Sequence, residues 1–306
     1  MHHHYQLAGL GFRSPLVLPE LDARTAGEAV DVHIDEREGA VPDSGRAPPG
    51  GMTWSSDRER CLLDVARIAR FSVCQGQRIA FQRSDTDGDA AADDRLLRLF
   101  LLGSVLGALW HQRGRLPLHA GAVDVDGRAW AFAGPSGAGK SSLVVAMAAS
   151  GAGYLCDDVC VLDVLDDGHA HAWPGLARLR VSPEICALLA LGDCPPPDPF
   201  GKHALFPPWP RPAGARPLAG IVILETDPAA AQPVMDRLEA PAALTALLTH
   251  TYRTEYLPME HRARHFGHCA ALVRAVPVYR LRRPWGTRRL PGDAQRLLAL
   301  LATLNT

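Results

Sequence analysis

The stretch "GPSGAGKSS" at residues 134–142 constrains this chain more than any other part of it. The G-x-x-x-x-G-K-[ST] spacing puts Gly134, Gly137 and Gly139 where a Cβ would keep backbone N–H groups from curling around an anion. "AWAFAG" before the stretch reads as a strand and "SSLVVAMAAS" after it as a helix, so the loop opens into a helix N-terminus that favours negative charge. Lys140 brings a mobile point charge to β- and γ-phosphates, and the Ser141 hydroxyl can bind Mg²⁺. Of 32 basic residues only Lys140 and Lys202 are lysine. In so lysine-poor a chain the pattern arises by chance about 0.001 times. The expected ligand is a nucleoside triphosphate, ATP with Mg²⁺, held by Gly134, Pro135, Ser136, Gly137, Ala138, Gly139, Lys140, Ser141 and Ser142.

Seventeen residues past Lys140, one helix away, comes "LCDDVCVL". Two adjacent acids between apolar strand residues are costly unless they manage a cation or a proton. One can serve Mg²⁺, and the other can take the proton of an attacking hydroxyl during phosphoryl transfer.

The remaining composition narrows the class. Apolar residues are 47%, charged residues 21% and the net charge is −1, the profile of a globular protein with no electrostatic pull toward nucleic acid or a membrane surface. The longest apolar run, "LFLLGSVLGALW", is too short to span a bilayer, and "MHHHYQL" lacks the apolar core of a secretory signal. A cytoplasmic location is expected. The seven cysteines are scattered, without CxxC, and are expected to be reduced and mostly buried.

Residues 1–112 read as short alternating strands closed by an apolar helix. They include "EGAVPDSGRAPPGG" as a loop, "QGQ" as a hairpin turn, and Asp93 or Asp94 as the cap of "DDRLLRLFLLGSVLGALWHQ". From residue 113 to 306 strands, loops and helices alternate. "DVDG" predicts a hairpin, "SPEICALLAL" a helix capped by Ser182, and "LAGIVILE" a buried strand. The proline-rich 194–217 segment predicts a long irregular, functional loop.

"LHAGAVDVDGRAWAFAGPSGAGKSSLVVAMAASGAGYLCDDVCVLD" resembles the catalytic domain of HPr kinase/phosphorylase and its HPr-kinase-like relatives. The matching elements are His119 before the strand, the loop from Gly134 to Ser141, and the pair Asp157–Asp158. The resemblance implies an α/β fold, a P-loop kinase domain of the HPr kinase C-terminal type, here preceded by a strand-rich N-terminal domain. It implies a Mg²⁺-ATP kinase acting on a serine of a peptide or protein. Catalysis would fall to Asp158, Asp157, His119 and Lys140, with Asp158 as the base and Asp157 beside Ser141 at the metal. In place of the regulators' Glu-x-Arg-Gly-Leu-Gly signature this chain has "HAWPGLARLRVSP", a departure that weakens the case for HPr itself and for phosphorolysis. "YQLAGLGFRSPLVLPEL" and "LPLHAGAV" look more like the kinases of ribosomal peptide biosynthesis, among them those that phosphorylate the C-terminal serine of lasso precursor peptides.

Lys202, in a proline-flanked loop, is a candidate to close on the phosphates. Arg280, Arg282, Arg283, Arg288 and Arg289, with Arg178 and Arg180, are candidates for ATP or an acidic peptide, and Glu225 for the metal. Beside the serine kinase stand three other readings: an HPr-type kinase/phosphorylase, a small-molecule kinase, and an ATP-gated binding module. The expected partner is a serine-bearing peptide or protein, with no nucleic acid and no membrane; homo-oligomerisation is left open.

Overall fold

Strand patterning dominates the first third of the chain because apolar residues recur at every second position, as in "CLLDVARIARFSV", and Gly-containing turns separate the runs. In the computed structural model, which describes residues 2–37, 51–84, 90–165, 168–198, 200–227, 230, 232–284 and 286–305, the chain forms two units. One comprises Met1–Pro117 and Tyr252–Phe266, the other Leu118–Thr251 and Gly267–Thr306. The expected division at 112/113 did not foresee the return of residues 252–266 to the first unit. Backbone and side-chain bonds within that unit hold it: the Tyr252 N–H donates to the Pro117 carbonyl at 2.8 Å and the Ser56 hydroxyl to the Tyr256 carbonyl at 2.8 Å.

The first unit is built on an eight-stranded sheet of β1 (His3–Leu7), β2 (Leu10–Ser14), β3 (Asp22–Ala23), β4 (Val32–Glu36), β5 (Met52–Ser56), β6 (Arg60–Val65), β7 (Ala69–Cys74) and β8 (Arg78–Arg83), in the order β3-β1-β2-β4-β8-β7-β6-β5. Gln75 and Gly76 both have positive φ in the β7–β8 turn, the backbone a tight hairpin needs. Phe12, Ile34, Leu63, Phe71, Ile79 and Phe81 are fully buried. The long apolar helix comes as α1 (Ala90–Phe100), a π-helical turn (Leu101–Val105) and α2 (Leu106–Gln112). It starts at Ala90, so neither Asp93 nor Asp94 caps it; Asp94 instead accepts from Arg83 at 2.6 Å. The loop expected at 38–51 lies almost wholly outside the described residues.

The second unit is entered at the end of β9 (Leu116–Leu118) and holds β10 (Ala120–Val125), β11 (Arg128–Ala133), α3 (Lys140–Ala149), β12 (Gly153–Cys156), β13 (Cys160–Val164), β14 (Ala170–Ala172), β15 (Leu179–Val181), α4 (Pro183–Leu188), β16 (His203–Leu205), β17 (Arg216–Thr226), β18 (Val234–Arg237), α5 (Ala240–Thr249), the part of α6 (Arg262–Ala275) from Gly267 on, β19 (Val278–Arg283) and α7 (Leu290–Leu304). Its main sheet runs β12-β10-β11-β17-β14-β13-β9, with β19 beside β17 and β18 beside β19. β11, β17 and β19 are parallel, and β10–β11 is a hairpin turning at Asp126–Gly127, both at positive φ. Ile221 and Val222 face opposite sides of β17 and both are fully buried, so the sheet is covered on both faces. On one face Leu143, Val144 and Met147 of α3 pack with Val123, Trp130, Phe132 and α7. Gly121 lets α3 come close, since a Cβ there would stand 2.8 Å from Val144 Cγ2. Among the described residues no helix is long and apolar enough to cross a membrane.

The cysteine expectation needs one correction. Cys61, Cys156, Cys160 and Cys269 are buried free thiols, but Cys186 and Cys194 form a disulfide. Eight residues of separation gave no motif to announce it.

Candidate active site

β11 is buried from Ala129 onward and delivers Gly134 at its end, where β17 leaves no room for a side chain: a Cβ would stand 2.9 Å from the Leu224 carbonyl oxygen. The loop then turns through positive φ at Gly134, Gly137 and Gly139, and Gly139 is the left-handed residue immediately before α3. The first-turn N–H groups of α3 therefore point out of the loop with no side-chain cap. Lys140 is buried, 7% exposed as a residue, and its ammonium folds back to donate to the carbonyls of Gly134 at 2.8 Å and Pro135 at 3.0 Å. Burial lowers its pKa, while the charges of Asp158 and Asp157 act in the opposite direction.

β12 ends at Cys156, and the two acids that follow diverge. Asp157 is buried; its Oδ2 accepts the Arg180 N–H at 3.0 Å, whereas Oδ1 is buried without a partner of hydrogen-bond geometry. Burial and the charge of Asp158 push its pKa up, against the N–H of Arg180 and the Ser141 hydroxyl. Asp158 takes φ +72°, a left-handed backbone that Asp tolerates better than most side chains. That turn swings its carboxylate, 40% exposed, out into a cavity, 3.4 Å from His119 Nδ1. Burial lowers the His119 pKa, Asp158 opposes the shift, and Lys140 and Lys202 reinforce it. Its backbone N–H donates to the His250 carbonyl at 2.8 Å, which fixes the end of the β9–β10 connection.

The cavity, about 370 Å³, brings together His119, Ser136, Gly137, Gly139, Lys140, Ser141, Ser142, Asp158 and Lys202. Gly134, Pro135, Ala138 and Asp157 do not line it: Gly134 and Ala138 are buried beneath the loop, Pro135 is exposed, and Asp157 stands behind the wall. Its place beside Ser141 suits a divalent cation, because a buried carboxylate next to a hydroxyl offers the hard oxygen donors that Mg²⁺ takes.

Lys202 reaches the cavity because its loop is clamped. Asp198 Oδ1 accepts from the N–H groups of Phe200 at 2.9 Å and Lys202 at 3.1 Å, and the Asp198 N–H donates back to the Lys202 carbonyl at 2.7 Å. Asp198 Oδ2 accepts from Arg180 Nε at 2.9 Å. Arg180 thus touches the acid turn with its backbone and the lysine loop with its side chain. Of the other arginines, Arg283 donates to the Ala138 carbonyl at 2.7 Å and lines the cavity. Arg282 pairs with Asp236 at 2.7 Å, and Arg280 lies 3.9 Å from Glu225; Arg280, Arg282 and Glu225, like Arg178, Arg288 and Arg289, are not in the cavity wall. Sequence reasoning missed the far wall, formed by Val181 at the end of β15, by Glu184 and Ile185 in α4, and by Pro284, Thr287 and Leu290 before and at the start of α7. The Thr287 hydroxyl donates to Glu184 at 2.5 Å, joining those two segments.

No protein-family model matches the chain. No curated protein matches it either. Among solved structures it is similar to the HPr(Ser) kinase/phosphatase from Coxiella burnetii, with 13% identity, 61% of this chain and 97% of that one covered, and a TM-score of 0.33. A likeness of that size bears on neither activity nor substrate.

Proposed function

We propose that the second unit is a P-loop kinase that transfers the γ-phosphoryl group of ATP to a serine hydroxyl of a peptide or protein, with the C-terminal serine of a lasso-type precursor as the expected acceptor. The observation that carries this reading is the split acid pair: Asp157 buried behind Ser141, and Asp158 turned into the cavity that Lys140 and Lys202 also enter. A serine hydroxyl needs a base within reach, as an attacking water also does, and the cavity in front of Asp158 leaves room for an acceptor side chain.

The backbone N–H groups of 137–142 bind phosphate oxygens, and Lys140 exchanges its carbonyl partners for them. Ser141 and Asp157 would hold Mg²⁺, which neutralises developing charge on the phosphates. Asp158 accepts the proton of the serine hydroxyl. His119, kept neutral by burial and by the two lysines, orients the Asp158 carboxylate from 3.4 Å. Lys202 supplies positive charge to the phosphoryl group.

The test is incubation of the full chain with γ-labelled ATP, Mg²⁺ and a precursor peptide ending in serine, with HPr as a second acceptor and the Asp157→Asn/Asp158→Asn protein in parallel. Label on a peptide serine, absent with the variant, is expected. Label on HPr would replace the acceptor, and phosphate release with no labelled acceptor would overturn the kinase reading.

A further inference from the structure

We propose that Cys186, Cys194 and His203 form a site for one thiophilic divalent cation, Zn²⁺ by the character of its ligands, and that the cation ties the Lys202 loop to α4. Three observations point to it. One ligand atom from each residue lies within 4.8 Å of the others. The Cα atoms of the two cysteines are 7.1 Å apart, beyond the range of about 4.4–6.8 Å that disulfides usually span. Two thiolates, each about 2.3 Å from a shared zinc, suit that wider backbone spacing. Finally, His203 Nδ1 lies 2.6 Å from the Pro195 carbonyl oxygen. A ring nitrogen facing a carbonyl must donate, so in the neutral ring Nδ1 is the donor and Nε2 the nitrogen with a lone pair for a metal. Ligating histidines are typically held this way through the nitrogen that does not touch the metal.

The donor set of two sulfurs and one imidazole favours zinc and disfavours Mg²⁺ or Ca²⁺. Cys186 is buried while Cys194 and His203 are partly exposed, so the cluster is sheltered yet open to exchange. The disulfide seen here is the oxidised, metal-free form. A dithiol or phosphine reductant supplies two electrons, the S–S bond breaks, and each sulfur takes up a proton from solvent. Zinc then displaces a proton from each thiol and a water completes its coordination. His203 follows Lys202 directly, and Glu184 and Ile185 beside Cys186 line the cavity. A metal joining them fixes Lys202 against the far wall; this consequence, unlike the site, rests on the phosphoryl-transfer reading.

The full chain is reduced with a phosphine, desalted without oxygen and titrated with Co²⁺, followed by displacement with Zn²⁺. A thiolate-to-cobalt charge-transfer band saturating at about one equivalent is expected. Cys186→Ser/Cys194→Ser should abolish it, and His203→Gln, which keeps both sulfurs, should weaken binding at least tenfold. A reduced protein that develops no band, or a band undiminished in the double serine variant, overturns the proposal. ATP and acceptor are absent from the titration, so its failure leaves the kinase reading untouched, and failure of the kinase reading leaves the metal site standing.

Discussion

Replacing Asp198 with asparagine removes one charge and leaves the shape of the loop clamp nearly unchanged. The carboxylate serves Phe200 and Lys202 through Oδ1 and Arg180 through Oδ2. An amide keeps only one acceptor and must turn its NH₂ toward one of those donors. The Asp198 side chain is 6% exposed and that of Arg180 17%, so water compensates little. A hydrogen bond to a charged group contributes about 1.5–3 kcal/mol, and we expect a stability loss of about 2 kcal/mol. For a unit of this size that lowers Tm by roughly 4–8 °C. Lys202, released from its turn, should cost kcat/KM roughly 10–100-fold, or about 1.4–2.7 kcal/mol. The decisive assay is a double-mutant cycle with Lys202→Met, read as phosphate transfer. If Asp198 acts by placing Lys202, the double variant is no slower than Lys202→Met alone. Additive losses would refute the reasoning. The pH dependence gives a second check. Burial alone would raise the Asp198 pKa, but the N–H of Lys202 and the Arg180 guanidinium outweigh it and hold it below its ordinary value. Its stabilisation is therefore complete above the ordinary carboxylate range and fades as pH falls through the lowered pKa, a loss the asparagine variant should not show.

Other expectations follow the same logic. Burial and Asp158 raise the Asp157 pKa, so the folded state binds the proton more tightly and ionising Asp157 as pH rises destabilises the nucleotide-free protein. Asp157→Asn should accordingly raise Tm by about 2–4 °C at pH 7, for about 1 kcal/mol, in scanning fluorimetry without nucleotide, and should lose the extra stabilisation that Mg²⁺ adds to ATP. Gly139→Ala puts a side chain at φ +82° and against the Arg283 guanidinium. It should destabilise by about 1–3 kcal/mol and weaken ATP binding at least tenfold by equilibrium titration, with Asp158→Asn as the control that keeps affinity.

The part of the site made by contiguous chain was legible in the sequence. Residues 119–158 form hairpin, loop, helix and strand in immediate succession, so spacing pointed to Lys140 and the acid pair, while His119 was marked only by the family resemblance. Lys202 stood out through the scarcity of lysine, yet the reason it reaches the cavity did not. Asp198 sits in "PPPDPFGK", where prolines suggest irregularity and nothing signals a carboxylate accepting two backbone N–H groups. The far wall comes from α4 and from residues 284–290, joined to the loop only by long-range packing that periodicity does not encode. Asp94 was misread because an acid before an apolar run is as good an ion-pair partner for a neighbouring strand as it is a cap. The unit boundary was misplaced for a similar reason: residues 252–266 join the first unit through contacts nearly two hundred positions away, Ser56 to Tyr256 among them.

The measurement that tests the central claim most directly is ATP affinity and phosphate transfer on the same preparations of wild type, Lys140→Ala and Asp158→Asn. The account predicts that Asp158→Asn binds Mg²⁺-ATP within about twofold of wild type while transfer to serine falls roughly 10²–10⁴-fold, the range for loss of a general base. Lys140→Ala should lose both. An Asp158→Asn protein that still phosphorylates its acceptor at the wild-type rate would contradict the account.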